Sequence, residues 1–279
     1  MKLWYLLTDL IPLEFLSMTF MKNALLAVLV MTPLFGILST LVVTGKMSFF
    51  SDALGHSAFT GIAIGVLCGA SFPIWIAVAL SVAFALLFSY VKAKSHQAAD
   101  TIIGVFSSTA VALGIFIATL NGSSFTKFNT YLIGDILSVT PDEIGLMALV
   151  LALVSVLWCF FGNRLMLTAV HPQLASSRGF AIRAIETFFT ALIAVVVTLA
   201  LNWVGLMVIN SLLVLPAASA RNVAKNLRQY LGLSVLFALL GGIAGLITAY
   251  YAGCSAGAAI SLYLAAVFTV TFCLRKKAR

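Results

Sequence analysis

An all-α polytopic membrane protein with eight or nine transmembrane helices is the fold class this sequence predicts, and three observations predict it. Of the 279 residues, 62% are apolar and only 9% charged, against about 45–50% and about 25% in soluble domains. With 16 basic and 8 acidic side chains, a soluble fold of this size cannot cover its surface, which excludes a cytosolic enzyme or a secreted domain. Mean hydropathy is +1.15, and apolar runs of about 20 residues recur, the length that crosses a bilayer as a helix.

The whole chain, 1–279, reads as one transmembrane domain. Its first twenty residues (1–20) include LWYLLTDLIPLEFLSM (3–18), apolar but broken by Asp9, Pro12 and Glu14. This predicts an amphipathic segment lying on the membrane. It lacks a basic region followed by a small-residue cleavage site, so no removable signal peptide is expected. Spans are predicted near 22–44, 50–70, 72–92, 100–120, 142–162, 181–201, 203–216, 231–251 and 256–274. The seventh is short, and Pro216 is expected to end it. The longest polar connections, 121–141 and 163–180, run to about twenty residues and leave no room for a soluble domain.

The formal charge of +8 is explained by where the basic residues fall. With alternating crossings and a cytoplasmic C-terminus, inner segments hold Lys46, Lys92, Lys94, Arg164, Arg178, Arg183, Arg221, Lys225, Arg228, Arg275, Lys276, Lys277 and Arg279. Only Lys2, Lys22 and Lys127 remain outside. That is the positive-inside pattern of a plasma-membrane protein in contact with lipid, not a footprint for nucleic acid. Cys68, Cys159, Cys254 and Cys273 form no CxxC pair and are expected to pack between helices as small hydrophobes.

Most acids and histidines fall at segment ends. Asp9, Glu14, Asp135, Asp142 and Glu143 lie in outer segments, His96 and His171 in inner loops, and Asp100 and Glu186 near inner helix ends. Two remain: Asp52 and His56, in SDALGHSAFTGIAIG (51–65). A carboxylate at bilayer depth costs about 2.5–3.5 kcal/mol on insertion scales, so it marks function by default. Residues four apart share a helix face, so carboxylate and imidazole project together, with Thr60 one turn on. Gly61, Gly65 and Gly69 lie on the far side, at a spacing that lets another helix approach closely.

One hard oxygen with one imidazole nitrogen suits Zn²⁺ or Mn²⁺. Two ligands are too few for a tight site, but a two-fold dimer would supply four. The competing interpretation is a local Asp–His ion pair that locks the helix. There is no phosphate-binding loop, since the only GK, Gly45-Lys46, is followed by Met47 and preceded five positions earlier by Thr40. ATP-driven work would therefore need a second chain. Neither HExxH nor GxSxG is present, which weakens a hydrolase assignment. The segment INSLLVLPAASARNVAKNLRQYL (209–231) carries Arg221, Lys225 and Arg228 at i, i+4 and i+7. It reads either as a solvated inner loop or as a short basic helix that docks on a cytoplasmic partner.

Several motifs in order resemble the permease subunits of bacterial zinc/manganese/iron ABC importers, the ABC-3 group. They are GKMSFFSDALGHSAFTGIAIG (45–65), DTIIGVFSSTAVALGI (100–115), YLIGDILSVTPDE (131–143), GLMVINSLLVLPAASAR (205–221) and CSAGAAI (254–260). The resemblance implies a type II ABC importer-like permease, not itself an enzyme, in which Asp52 and His56 coordinate the transported zinc or manganese. Thr60 and Asn210 are candidate pathway residues. The stretch 217–230 becomes the cytoplasmic coupling loop, with Ala217, Ser219, Arg221, Asn222 and Lys225 against the ATPase. Implied partners are a second copy of the chain, a cytoplasmic ATP-binding cassette ATPase and an extracytoplasmic metal-binding protein, with no permanently bound cofactor. One departure is His171, in HPQLASSRG (171–179), where that family usually carries an acid. Two other functions compete: a proton-coupled secondary transporter using Asp52 and His56 as a relay, and a membrane enzyme using them for acid–base chemistry.

Overall fold

The computed structural model describes residues 4, 5, 8, 14–70, 72–95, 97–119, 134 and 136–275, with only the backbone of residue 202. Among the described residues all regular structure is helical. The α-helices are α1 (Thr19–Thr44), α2 (Phe50–Leu67), α3 (Pro73–Lys94), α4 (Ala99–Thr119), α5 (Pro141–Val170), α6 (Pro172–Ser177), α7 (Ile182–Val204), α8 (Leu206–Val223), α9 (Leu227–Ala252) and α10 (Ala256–Arg275). All but the short α6 are long and apolar enough to cross a membrane, giving 9 candidate spans. That is the upper of the two counts expected, and together with the polytopic composition it makes this a multi-pass membrane protein. Asp9, His96, Asp135, Lys127 and residues 276–279 lie outside the described residues.

Helix ends follow local chemistry. Proline occupies the first turn of α3 and of α6, where its missing N–H costs nothing. Between α7 and α8 the chain turns at Gly205, with φ 80° and ψ 160°, a conformation open only to glycine.

Two compact units divide the chain. The first holds Leu41–Gly134 and Trp158–Asn210. Its centre is α2, which packs on α3, α4 and α7 and is the most enclosed of the spans, at 72% buried. A Cβ on Gly61 would collide with the Ala77 backbone, and one on Gly65 would lie 2.9 Å from the Pro73 Cα. The close approach expected of these glycines is therefore made, by α3. Gly69 is different: it follows the helix at φ 67° with open space around it, so it ends α2 instead of extending the packing stripe. Phe50 and Phe88 lie tilted against each other (4.5 Å between ring centroids), and Phe88 meets Phe106 edge-on. Glu186 reaches a basic neighbour, with its Oε2 3.4 Å from Lys92 Nζ.

The second unit holds Met1–Thr40, Asp135–Leu157 and Ser211–Arg279. Here α1 and α9 touch through small residues, with Gly36 against the Val235 backbone. Ser234 donates to the Gly36 carbonyl at 2.8 Å and meets the Ser39 hydroxyl at 2.8 Å. Gly241 and Gly245 of α9 face Leu264 and Ile260 of α10. Small faces and paired hydroxyls are how helices associate where lipid removes the hydrophobic drive.

Four further expectations change. Pro216 does not end the seventh span, because α8 continues through it to Val223. One proline removes one backbone hydrogen bond, and the alanines at 217, 218 and 220 are the best helix formers, so the helix resumes. The basic trio does not share one helix. Asn226 caps α9, its side chain accepting from Gln229 N at 2.8 Å, so Arg221 lies in α8, Lys225 in the link and Arg228 in α9. The opening segment rests partly on protein: Thr8, Phe15 and Leu16 are buried, Trp4 donates to the Lys22 carbonyl and Tyr5 to Asn23 Oδ1. The four cysteines are free, as expected, but exposed rather than packed between helices. A small apolar thiol has no cost against lipid.

Candidate functional site

Asp52 sits in the first turn of α2, where unpaired N–H groups and the helix dipole favour a carboxylate. The cost of keeping it in an apolar segment falls accordingly. One turn on, His56 Nε2 lies 3.5 Å from Asp52 Oδ2, with side chains 24% and 40% exposed respectively. Both are thus reachable while the other residues of α2 from Phe50 to Ala63 are buried.

Gly55 lies between them in sequence, and the Leu206 side chain occupies the space its Cβ would need. This lets the start of α8 come close to α2 and delivers Asn210, one turn after Leu206, to the carboxylate. Asn210 Nδ2 donates to Asp52 Oδ1 at 2.9 Å. The other end of the same amide, Oδ1, is buried without a hydrogen-bond partner, an arrangement costing about 1–3 kcal/mol. Ser107 of α4 lies near the Asp52 side chain.

Of the candidate pathway residues, then, Asn210 joins the pair and Thr60 does not. Thr60 is 3% exposed and donates to the Ala110 carbonyl at 2.7 Å, so its hydroxyl is committed to holding α4 against α2. Of the candidate docking residues, Ala217 and Ser219 are buried within their own chain, and Ser219 donates to the Leu215 carbonyl. Arg221 and Lys225 are exposed, while Asn222 is half-buried and 3.4 Å from the Thr271 hydroxyl. Ser107 was not anticipated. Its signal lay in DTIIGVFSSTAVALGI, where two serines interrupt an apolar helix, but nothing in the sequence aims either one at Asp52.

Among the described residues, nine helices long and apolar enough to cross a membrane, one of them presenting a half-open Asp–His pair, define a membrane permease, a transport subunit. The chain belongs to the ABC 3 transport family, whose description residues 17–275 match. It is 27% identical over 254 residues to the high-affinity zinc uptake system membrane protein ZnuB of Haemophilus influenzae, covering 91% of this chain and 97% of that one. It is 30% identical over 264 residues to the manganese import system permease protein ScaB of Streptococcus gordonii, covering 93% of each. Among solved structures it resembles PsaBC from Streptococcus pneumoniae in complex with Fab, with a TM-score of 0.80 at 26% identity over 98% of this chain and 95% of that chain.

Proposed function

We propose that the chain forms the translocation pathway of an ATP-driven importer of a divalent transition metal, zinc or manganese, with Asp52 and His56 as ligands of the ion in transit. The pair itself carries this proposal. Two donors about 2.1 Å from one ion lie about 3.0 Å apart at a right angle and about 3.4 Å at the tetrahedral angle. The observed 3.5 Å is close to that spacing and long for a hydrogen bond that only locks a helix.

Among the described residues no third His, Cys, Asp or Glu completes a cluster. A second copy across a two-fold axis would double the pair into a weak, exchangeable four-ligand site, as a pathway needs. Metal is cargo here, not a resident cofactor. ATP is hydrolysed on a separate cassette chain docked near Arg221 and Lys225, and an extracytoplasmic binding protein delivers the ion. Membership of an ABC family displaces the proton-coupled alternative, in which the same pair would relay protons.

The test is uptake of Mn²⁺ and Zn²⁺ by a bacterial strain lacking the chain, restored with and without its ATPase. Restoration of either ion only when the ATPase is present supports the proposal. Uptake that proceeds without the ATPase and follows a proton gradient would establish the relay instead.

In the same proposal the protein lies in the bacterial plasma membrane with the C-terminus cytoplasmic, from the partition of basic residues. Single cysteines at Ser95 and Ser177, in a chain cleared of its four exposed native cysteines, are expected to react with an impermeant maleimide only after permeabilisation. Reaction of either in sealed cells overturns the orientation.

A further inference from the structure

We infer that Asn210 is a third ligand of the transported ion, binding through its amide oxygen, and that it biases the pathway towards the harder ion, Mn²⁺ over Zn²⁺. The inference rests on Asp52 and His56 being ligands and adds to that the residue that sets selectivity.

Three observations lead to it. Asn210 belongs to a different helix from the pair and makes direct contact with Asp52, its Nδ2 standing 2.9 Å from Oδ1. Its Oδ1 is buried and has no partner, which is rare for a buried polar atom and calls for an explanation. An amide is nearly symmetric in shape, so turning it over places the oxygen where the nitrogen stood, about 2.9 Å from Asp52 Oδ1. Donors sharing one ion with bonds of about 2.1 Å are about 3.0 Å apart at a right angle, so the turned oxygen stands at ligand spacing.

The two orientations suit two states. With no ion present the carboxylate carries a full negative charge, and an N–H aimed at it is favourable. An arriving cation neutralises that charge and rewards an oxygen in the same place. The turned amide gives up one hydrogen bond and gains one metal bond. Asp52, Asn210 and His56 then offer two oxygens and one nitrogen. Carboxylate and amide oxygens suit Mn²⁺, whereas imidazole nitrogen suits Zn²⁺, so the added oxygen favours manganese.

Binding of Mn²⁺ and Zn²⁺ to the purified permease–ATPase complex tests this, with the wild type, Asn210→Leu, Asn210→Asp and Asp52→Ala side by side. Asp52→Ala is expected to lose both ions. Asn210→Leu, similar in shape but without oxygen, is expected to weaken Mn²⁺ by about tenfold or more and Zn²⁺ by less than about threefold. Asn210→Asp keeps an oxygen donor and is expected to hold Mn²⁺ within about threefold of wild type or tighter. It also serves as the control for folding. If Asn210→Leu weakens both ions by one common factor, Asn210 only positions Asp52 and the inference fails. It fails equally if Asn210→Leu changes neither ion while Asp52→Ala loses both, or if Asn210→Asp loses Mn²⁺ as Asn210→Leu does. Retention of both ions by Asp52→Ala overturns the Asp52/His56 proposal itself, and the inference with it.

Discussion

Asp52→Ala and His56→Ala are each expected to abolish metal uptake while leaving expression and ATPase association near wild type. Either change halves the ligands that the pair supplies across the proposed two-fold axis, from four to two, and two identical donors are too few to hold a divalent ion against water at cellular concentrations. Mutating groups that merely support metal ligands costs about 10–100-fold, so removing a ligand is expected to cost at least about 100-fold in uptake at limiting metal. The structure also supplies a reason why the fold survives. Both side chains are partly exposed, and their removal opens no sealed cavity in α2. Asp52→Asn adds a sharper version: it keeps the shape but loses the charge, and is expected to transport almost as poorly as Asp52→Ala. Radiotracer uptake in cells, with variant levels matched by immunoblot, makes the measurement. Should Asp52→Ala and His56→Ala both supply metal at wild-type rates, the pair is a structural lock and the proposed pathway is wrong.

Much of this site was legible in the sequence, because its central feature is local. A carboxylate and a histidine four residues apart share a helix face wherever that helix sits, so the pairing of Asp52 and His56 needed no tertiary information. That the spans exist was legible for a similar reason, since length and hydropathy mark them, though the end of the seventh was not. What escaped was set by packing between distant segments. Asn210 could be placed on the seventh span, but its bond to Asp52 depends on Gly55 admitting Leu206 across about 150 residues of chain. Thr60 looked available on the same face as the pair until α4 claimed its hydroxyl. Pro216 misled because propensity is judged one residue at a time, while alanines beyond it and the surrounding helices restore the backbone pattern. The same continuation changed the docking segment, drawing Ala217 and Ser219 into a buried helix and leaving the charges at its end.

That change sharpens what is expected of the coupling region. ATP is hydrolysed on another chain, so its work must enter through a stiff element that continues into the pathway. Helix α8 meets this requirement: it holds Asn210, in contact with Asp52, near its start and Arg221 in its last turn, and it runs unbroken through Pro216. A loop beginning at residue 217 would have absorbed a push that a helix transmits. Beyond α8, the short link to Asn226 is pinned by reciprocal contacts, Gln229 N to Asn226 Oδ1 at 2.8 Å and Lys225 N to Gln229 Oε1 at 3.1 Å. Arg221 and Lys225 therefore stand exposed on a rigid base. Reversing both charges, Arg221→Glu with Lys225→Glu, is expected to lower uptake about tenfold or more by placing like charges against acidic groups of the ATPase. Co-purification of the ATPase is expected to fall in parallel. Metal binding at Asp52, His56 and Asn210 is expected to hold, because Arg221 stands about three helical turns beyond Asn210 and Lys225 lies past the end of α8. A solvated loop kept only for orientation predicts something else: normal association and nearly normal uptake once correct topology is verified by labelling. Wild-type ATPase yield together with wild-type uptake in the double variant would therefore remove the docking role from this end of α8.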